Sequence, residues 1–377
     1  MATHLAAVSL AKGKPLVLQT RPTPNPGPDE LLIEVKSVAL NPADAIMRDQ
    51  GLFIPTYPTV TGFDISGLVF AVGDSVPTSA VDDDNEGPGL YFRPGVTRVA
   101  AYAASVWRSC RPEYGAFQQR CLVPWQHATP LPDDGISWNQ AATLPVAASV
   151  ALNAWDVMGI PRLGEGGTQK NTKNKKEALL VWGASSSVGT MGVQSARLLR
   201  DDHGSSFAAV YATAGAANHE YVASLGADRV FDYREPQVVN AIISAAREDG
   251  LAIRHCFLAI GQLALCQAVL RAFVEGGGLG KEVQRAQIAS APPIPPDAKR
   301  VDGIKTIFVL PSTDDRERLA QFRYWMGTWL RKNLAKGTVR QSPEPRVVGT
   351  GLGAVNAGLD MILKGVSCTK LVVEVAK

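Results

Sequence analysis

The chain is short of every residue pattern that would announce a function by itself. Its five cysteines, Cys110, Cys121, Cys256, Cys266 and Cys368, form no Cys-x-x-Cys pair and are too sparse for a disulfide framework. They are expected to be free thiols in a reducing compartment. The histidines, His4, His127, His203, His219 and His255, are scattered, and no nucleophile stands at a recognisable spacing from a base, which argues against covalent catalysis. A net charge of +3 on 377 residues, with basic and acidic residues interspersed, cannot sustain an extended phosphate-neutralising surface, so nucleic acid is not an expected partner. No window reaches the roughly 20 apolar residues of a membrane span. Lys12 and Lys14 break the N-terminal stretch that a signal peptide would keep apolar, and a cytoplasmic protein is expected.

What is present is core material and rhythm. The chain is 46% hydrophobic and 19% charged, and its length suits two domains. Up to about residue 150 it is rich in Pro and Gly, with short alternating segments such as "ELLIEVKSVAL" (30–40) and "ISGLVFAVG" (65–73) that read as strands of a mostly β unit. "PTSAVDDDNEGPG" (77–89) reads as an exposed loop and "GEGGTQKNTKNKK" (164–176) as a surface insertion. From 178 onward the apolar runs "ALLVWG", "FAAVYAT" and "IRHCFLAI" alternate with amphipathic segments, the pattern of βαβ units and a parallel sheet. "RERLAQFRYWMGTWLRKNLAKG" (316–337) predicts one long amphipathic helix, and the last segment predicts a helix and a strand that return to the first domain. The expected fold class is α/β: a mostly β domain over 1–150, completed by 306–377, with a doubly wound domain over 151–305.

In the stretch "ALLVWGASSSVGTMGVQSARLL" (178–199), Gly189 and Gly192 take the second and third glycine positions of G-x-G-x-x-G between a strand and a helix, and Ser187 takes the first. That context predicts a dinucleotide site. Ser185, Ser186 and Ser187 add hydroxyls suited to phosphate oxygens, one of them expected to cap the helix. At the end of the next strand, "VYATAGAANHE" has no acid before Glu220 to meet a ribose 2′-hydroxyl, which favours NADPH. No Arg or Lys stands in that stretch either. The 2′-phosphate would fall to neutral donors such as Asn218, helped by Tyr233 or a nearby arginine.

The segments "NPADAIM" (41–47), "YPTVTGFDISGLVFAVG" (57–73), "YGAFQQRCLVP" (114–124), "AATLPVAASVALNAW" (141–155), "GASSSVGTMGVQSA" (183–196) and "LGADRVFDYRE" (225–235) follow one another as in the medium-chain dehydrogenases/reductases. Within that superfamily the chain resembles the fungal stand-alone enoyl reductases that act in trans with polyketide synthases; quinone oxidoreductases share most of these motifs. The resemblance implies a GroES-like catalytic domain, a Rossmann domain and a cleft between them. It places Asp44, Ala45, Ile46 and Met47 near the nicotinamide, and Ser185, Ser186, Ser187 and Val188 on the phosphates beside Gly189. It also places Gly215, Ala216, Ala217, Asn218 and Tyr233 around the adenosine 2′-phosphate, and Ser367 and Cys368 at the cofactor. Substrate contacts are expected from a helix beginning near Val150, whose spacing puts Val150, Asn153, Ala154 and Val157 on one face. A further strand over 304–310 is expected to present Thr306 and Phe308 to the substrate on the same side.

Zinc-using members of the superfamily carry a Cys shortly before the Asp of the "NPADA" region, a Gly-His-Glu where this chain has "GFDISG", and a four-cysteine lobe. None is present in this sequence, so no metal is expected, and the alcohol dehydrogenase reading falls with it. The resemblance implies hydride delivery from NADPH to the β-carbon of an α,β-unsaturated acyl thioester, presented by a polyketide synthase acyl carrier domain, with the carbonyl taking charge as an enolate. Related reductases often place a lysine donor two residues after the Asp of "NPxD"; here that residue is Ile46. Tyr114, Tyr57, a ribose hydroxyl or water are the substitutes, and Asp44 is expected to be structural. A reductase of free quinones or enones and a non-catalytic NADP-binding protein remain the alternatives, as monomer or homodimer.

Overall fold

A computed structural model describes residues 2–79, 89–163, 175–274 and 285–375. The loop expected over 77–89 and the insertion expected over 164–176 fall for the most part outside the described residues. The chain forms two compact units, Met1–Val146 with Ser312–Lys377, and Ala147–Pro311.

The first unit is built around the strand Glu30–Ala39. Leu31, Leu32, Ile33, Val35 and Val38 are all buried in it, because apolar clusters cover both faces of the strand. It pairs antiparallel with Asp64–Val72, Arg120–Pro124 and Lys370–Glu374. The last of these brings the C-terminal segment back beside the N-terminal part, with Val372 opposite Ala39. Pro345–Thr350 lies outside Lys370–Glu374, and Arg98–Tyr102 and Ala128–Pro130 extend the other side. A smaller sheet joins Thr3–Ser9 to Val17–Pro22 and Thr59–Val60.

The helix expected over 316–337 is continuous but not uniform. It runs as Asp315–Phe322, then a π-helical stretch Arg323–Leu330, then Arg331–Ala335. Inside the wide turns, side chains take up backbone carbonyls: Thr129 Oγ1 donates to the Met326 oxygen at 2.7 Å and Arg331 Nε to the Gly327 oxygen at 2.9 Å. The buried face carries Phe322, Trp325, Met326, Trp329 and Leu330. Phe322 stacks on His127, ring centroids 3.8 Å apart. Burial pushes the His127 imidazole down to about 3, so it stays neutral there, its Nδ1–H donating to the Tyr102 carbonyl.

The second unit is a six-stranded parallel sheet in the order Arg229–Phe231, Phe207–Thr213, Glu177–Trp182, Ala252–Leu258, Ala286–Ser290, Ile304–Phe308. This is the doubly wound order in which the first strand is central and the direction of winding reverses beside it. Ile304–Phe308 pairs with Ala286–Ser290, so Thr306 and Phe308 belong to this sheet and not to the returning segment. The chain re-enters the first unit at Ser312, after this sixth strand at the sheet edge. Among the described residues no helix is long and apolar enough to cross a membrane.

Phe322 is fully buried against aromatic neighbours. Its replacement by alanine is expected to cost about 3–5 kcal/mol, read as a lower denaturant midpoint for the first unit.

Candidate active site

The nucleotide half is assembled where the strand Glu177–Trp182 passes into the helix Ser187–Asp201. Ser186 is the cap: its hydroxyl accepts from the Gly189 N–H at 3.2 Å and donates to the Gly183 carbonyl at 2.8 Å. That hydroxyl is therefore occupied by the turn itself, which corrects its expected place among the phosphate donors. Ser187 opens the helix, and its Oγ is buried with no hydrogen-bond partner. The N–H groups of Ser187 and Val188 stand at the open end, where no carbonyl of the preceding turn can reach them, and the helix dipole makes that end positive. A Cβ on Gly189 would lie 2.3 Å from the Gly183 carbonyl oxygen, and one on Gly192 would lie 2.8 Å from the Phe257 ring. Glycine here serves close approach, of the helix to its own strand end and to the sheet. The donor set fits the pyrophosphate of a dinucleotide.

The second strand end, after Phe207–Thr213, carries the short turn Ala216–Asn218, whose Asn218 N–H donates to the Gly215 carbonyl at 2.8 Å. The Ala216 N–H donates to Asp232 Oδ2 at 3.1 Å. Parallel pairing of Thr213 with Phe231 brings the segment after Phe231 alongside. Arg234 arrives that way: a Cβ on Gly215 would lie 3.3 Å from its guanidinium, which also lies over the Tyr233 ring at 5.4 Å. Arg234, next to Tyr233 in sequence, reaches Gly215 through this strand pairing. Backbone N–H bonds from Arg234 and Ala216, with the Arg234 charge beside them, keep the Asp232 carboxyl below its ordinary range.

The helix carrying Val150, Asn153, Ala154 and Val157 begins at Leu144, earlier than expected. Pro145 suits a first helical turn, where its missing N–H is not needed. Ala154 is fully buried, Val150 and Val157 are half-buried, and Asn153 is 1% exposed with neither amide atom hydrogen-bonded. Thr306 and Phe308 are half-buried on the same face of their strand.

In the first unit, Asn41 precedes the helix Pro42–Gln50, and its N–H donates to Asp44 Oδ2 at 2.7 Å. Ala45 and Met47 are fully buried in apolar clusters, while Ile46 is half-buried. Asp64, fully buried, accepts from Asn41 Nδ2 and from Lys370 Nζ, each at 3.0 Å, and from the Val146 N–H at 2.7 Å. Ser367 is exposed and Cys368, with φ +47°, is half-buried just before this lysine. Tyr114 lines a different cavity of about 690 Å³ with Glu30, Arg108 and Arg111. Its hydroxyl donates to Glu30 Oε1 at 2.6 Å, and burial with that carboxylate pushes the phenol up to about 12. The proton proposed for transfer is thus already held. The Tyr57 hydroxyl is buried without a partner.

The family model described as the Alcohol dehydrogenase GroES-like domain matches residues 27–133. The trans-enoyl reductase tndF of Aspergillus flavipes is 38% identical over 373 residues, 98% of each chain. The chain belongs to the medium-chain dehydrogenases/reductases, in the family of the fungal trans-enoyl reductases. A second relative, the trans-enoyl reductase tazE of Aspergillus terreus, is 38% identical over 85% of this chain and 97% of its own. A solved structure described as a zinc-dependent alcohol dehydrogenase protein of Rhizobium etli superposes with a TM-score of 0.73 at 22% identity, covering 99% of this chain and 98% of that one, and shares the fold.

As a medium-chain reductase the protein is an oxidoreductase that takes a nicotinamide cofactor. Among the described residues no three His, Cys, Asp or Glu side chains are grouped to hold a metal ion.

Burial pushes the Asp44 carboxyl up to about 7; the Asn41 N–H and Lys370 oppose the rise, and Asp64 adds to it. Tyr102 is the further titratable group close to this pair. Between the ordinary carboxylate range, near 3.8, and about 7 the folded protein holds a proton that the unfolded chain has lost, so Asp44 makes stability fall as pH rises. His127 works in the opposite sense, the unfolded chain binding the extra proton between about 3 and 6.5. Asp44→Asn removes only the first contribution. Relative to wild type, the variant is expected to gain stability with rising pH across that window, by at most about 1.4 kcal/mol per pH unit, in denaturant titrations at several pH values.

Proposed function

We propose that the protein is an NADPH-dependent enoyl reductase that acts in trans on an α,β-unsaturated acyl thioester carried by a polyketide synthase acyl carrier domain during secondary-metabolite biosynthesis. The observation that carries this reading is the similarity to a trans-enoyl reductase along 98% of both chains. Arg234 against the bare backbone of Gly215 supports NADPH over NADH. Ser185, Ser187 and Val188 hold the pyrophosphate, with Gly189 letting the helix start lie close to its strand end. Gly215, Ala216, Ala217, Asn218, Tyr233 and Arg234 hold the 2′-phosphate, and Asp44, Ala45, Ile46, Met47, Ser367 and Cys368 serve the nicotinamide end. When bound, NADPH supplies the hydride received by the β-carbon of the substrate.

The protein's own part is to align the acyl chain, exclude water and hold the carbonyl oxygen on which negative charge collects. Ile46 offers no hydrogen bond for that oxygen. Asn153 does: a buried amide with no partner is costly, and a ligand oxygen removes the cost. Its Nδ2–H donates to the thioester carbonyl, while Val150, Ala154 and Val157 line the acyl chain opposite Thr306 and Phe308. This amide polarises the carbonyl in place of a metal, since Phe63 and Asp64 stand where zinc-using relatives carry His and Glu.

NADPH oxidation is expected with an enoyl-pantetheine thioester, faster with the same chain on a carrier protein, and slow with a simple quinone. Turnover with the quinone alone would replace the reading with a free-substrate quinone reductase. Asn153→Leu, which keeps the volume and deletes the unpaired amide, is expected to melt at a higher temperature while kcat falls roughly 100-fold. Arg234→Met is expected to raise KM for NADPH by about tenfold or more and leave KM for NADH nearly unchanged.

A further inference from the structure

We infer that Asp64 and Lys370 are positioning residues, a buried ion pair that holds three site-bearing segments in register without touching substrate; for the reaction it serves, the inference rests on the enoyl-reductase reading. Both side chains are out of water, Asp64 at 0% and Lys370 at 5% exposure. Together their bonds join stretches of chain far apart in sequence. Asp64 Oδ2 accepts from Asn41 Nδ2, and Lys370 Nζ donates to Asn41 Oδ1 at 2.6 Å, so both ends of the pair grip the residue that precedes the helix Pro42–Gln50. Asp64 Oδ1 accepts from the Val146 N–H in the first turn of Leu144–Val157, where the helix dipole favours a carboxylate. Lys370 opens the strand Lys370–Glu374, two residues after Cys368.

The sheet makes this meeting possible. Ala39 pairs with Asp64 on one side and with Val372 on the other, so the strand ends bearing Asn41, Asp64 and Lys370 converge. A pair that served stability alone could be exchanged for apolar side chains of similar volume. This pair instead ties together the segment of Asp44, Ala45, Ile46 and Met47, the helix start at 144–146 and the segment of Ser367 and Cys368. Among the described residues Lys370 Nζ donates to nothing outside this cluster. Proximity effects in catalysis are steep enough for loss of such register to appear in kcat while binding persists.

Lys370→Met alone would leave a buried carboxylate unpaired and endanger folding, so the decisive protein is the neutral double variant Asp64→Asn/Lys370→Met, with Lys370→Arg as the conservative control. The double variant is expected to lose roughly 10- to 100-fold in kcat, with KM for the thioester and Kd for NADPH held within about threefold. Lys370→Arg is expected to retain most of the rate. Hydrogen exchange on the cofactor-free double variant is expected to show 41–50, 144–157 and 367–374 losing protection together. A folded double variant with wild-type kcat, or exchange that loosens one segment and spares the others, overturns the inference. A wild-type protein that passes hydride from NADPH to a simple quinone and to no enoyl thioester overturns the enoyl-reductase reading instead, and the exchange pattern then decides the hub alone.

Discussion

Asp64 sits in the strand Asp64–Val72 with no access to water, and a carboxylate in that position must be met by donors from the protein. The donors come from Asn41, Val146 and Lys370, parts of the chain far apart in sequence. The first unit has to be folded so that all three arrive. This requirement accounts for the C-terminal strand lying against Glu30–Ala39 and for the early start of the helix Leu144–Val157, whose first turn meets the carboxylate. The positive charge that meets this carboxylate is the Lys370 ammonium.

The second unit follows the opposite logic. Its turn between Trp182 and Ser187 closes on itself through Ser186, yet leaves the Ser187 hydroxyl unpaired at a positive helix end. Asn153 is likewise buried with its amide unmet. Buried donors without acceptors cost stability in the free protein. A ligand oxygen that reaches such a donor removes that cost. Tyr114 illustrates the converse: a tyrosine attractive as a proton donor on chemical grounds is fully engaged with Glu30 and Arg111 beside a separate cavity.

Fold and family were legible in the sequence because they rest on local periodicity and on motifs confined to short windows. The alternation in "ELLIEVKSVAL" and the strand–turn–helix of "ALLVWGASSSVGTMGVQSARLL" each contain their own explanation. Boundaries were less legible. Thr306 and Phe308 belong to the parallel sheet through the pairing of their strand with Ala286–Ser290, and the π-helical turns from Arg323 to Leu330 depend on Thr129 reaching a carbonyl from another strand. No window of neighbouring residues carries either signal.

By itself the sequence determined the class of protein, the dinucleotide turn and the absence of a recognisable zinc ligand set, since these are properties of residue type and spacing along a strand or one helical turn. Only the tertiary structure decided which serine caps the turn, which arginine stands at Gly215, that Tyr114 is engaged elsewhere, and that Asp64 is tied to Lys370. The physical reason is the same in each case: hydrogen bonds and ion pairs depend on distances across strand pairings, and those pairings join residues that the linear order keeps apart.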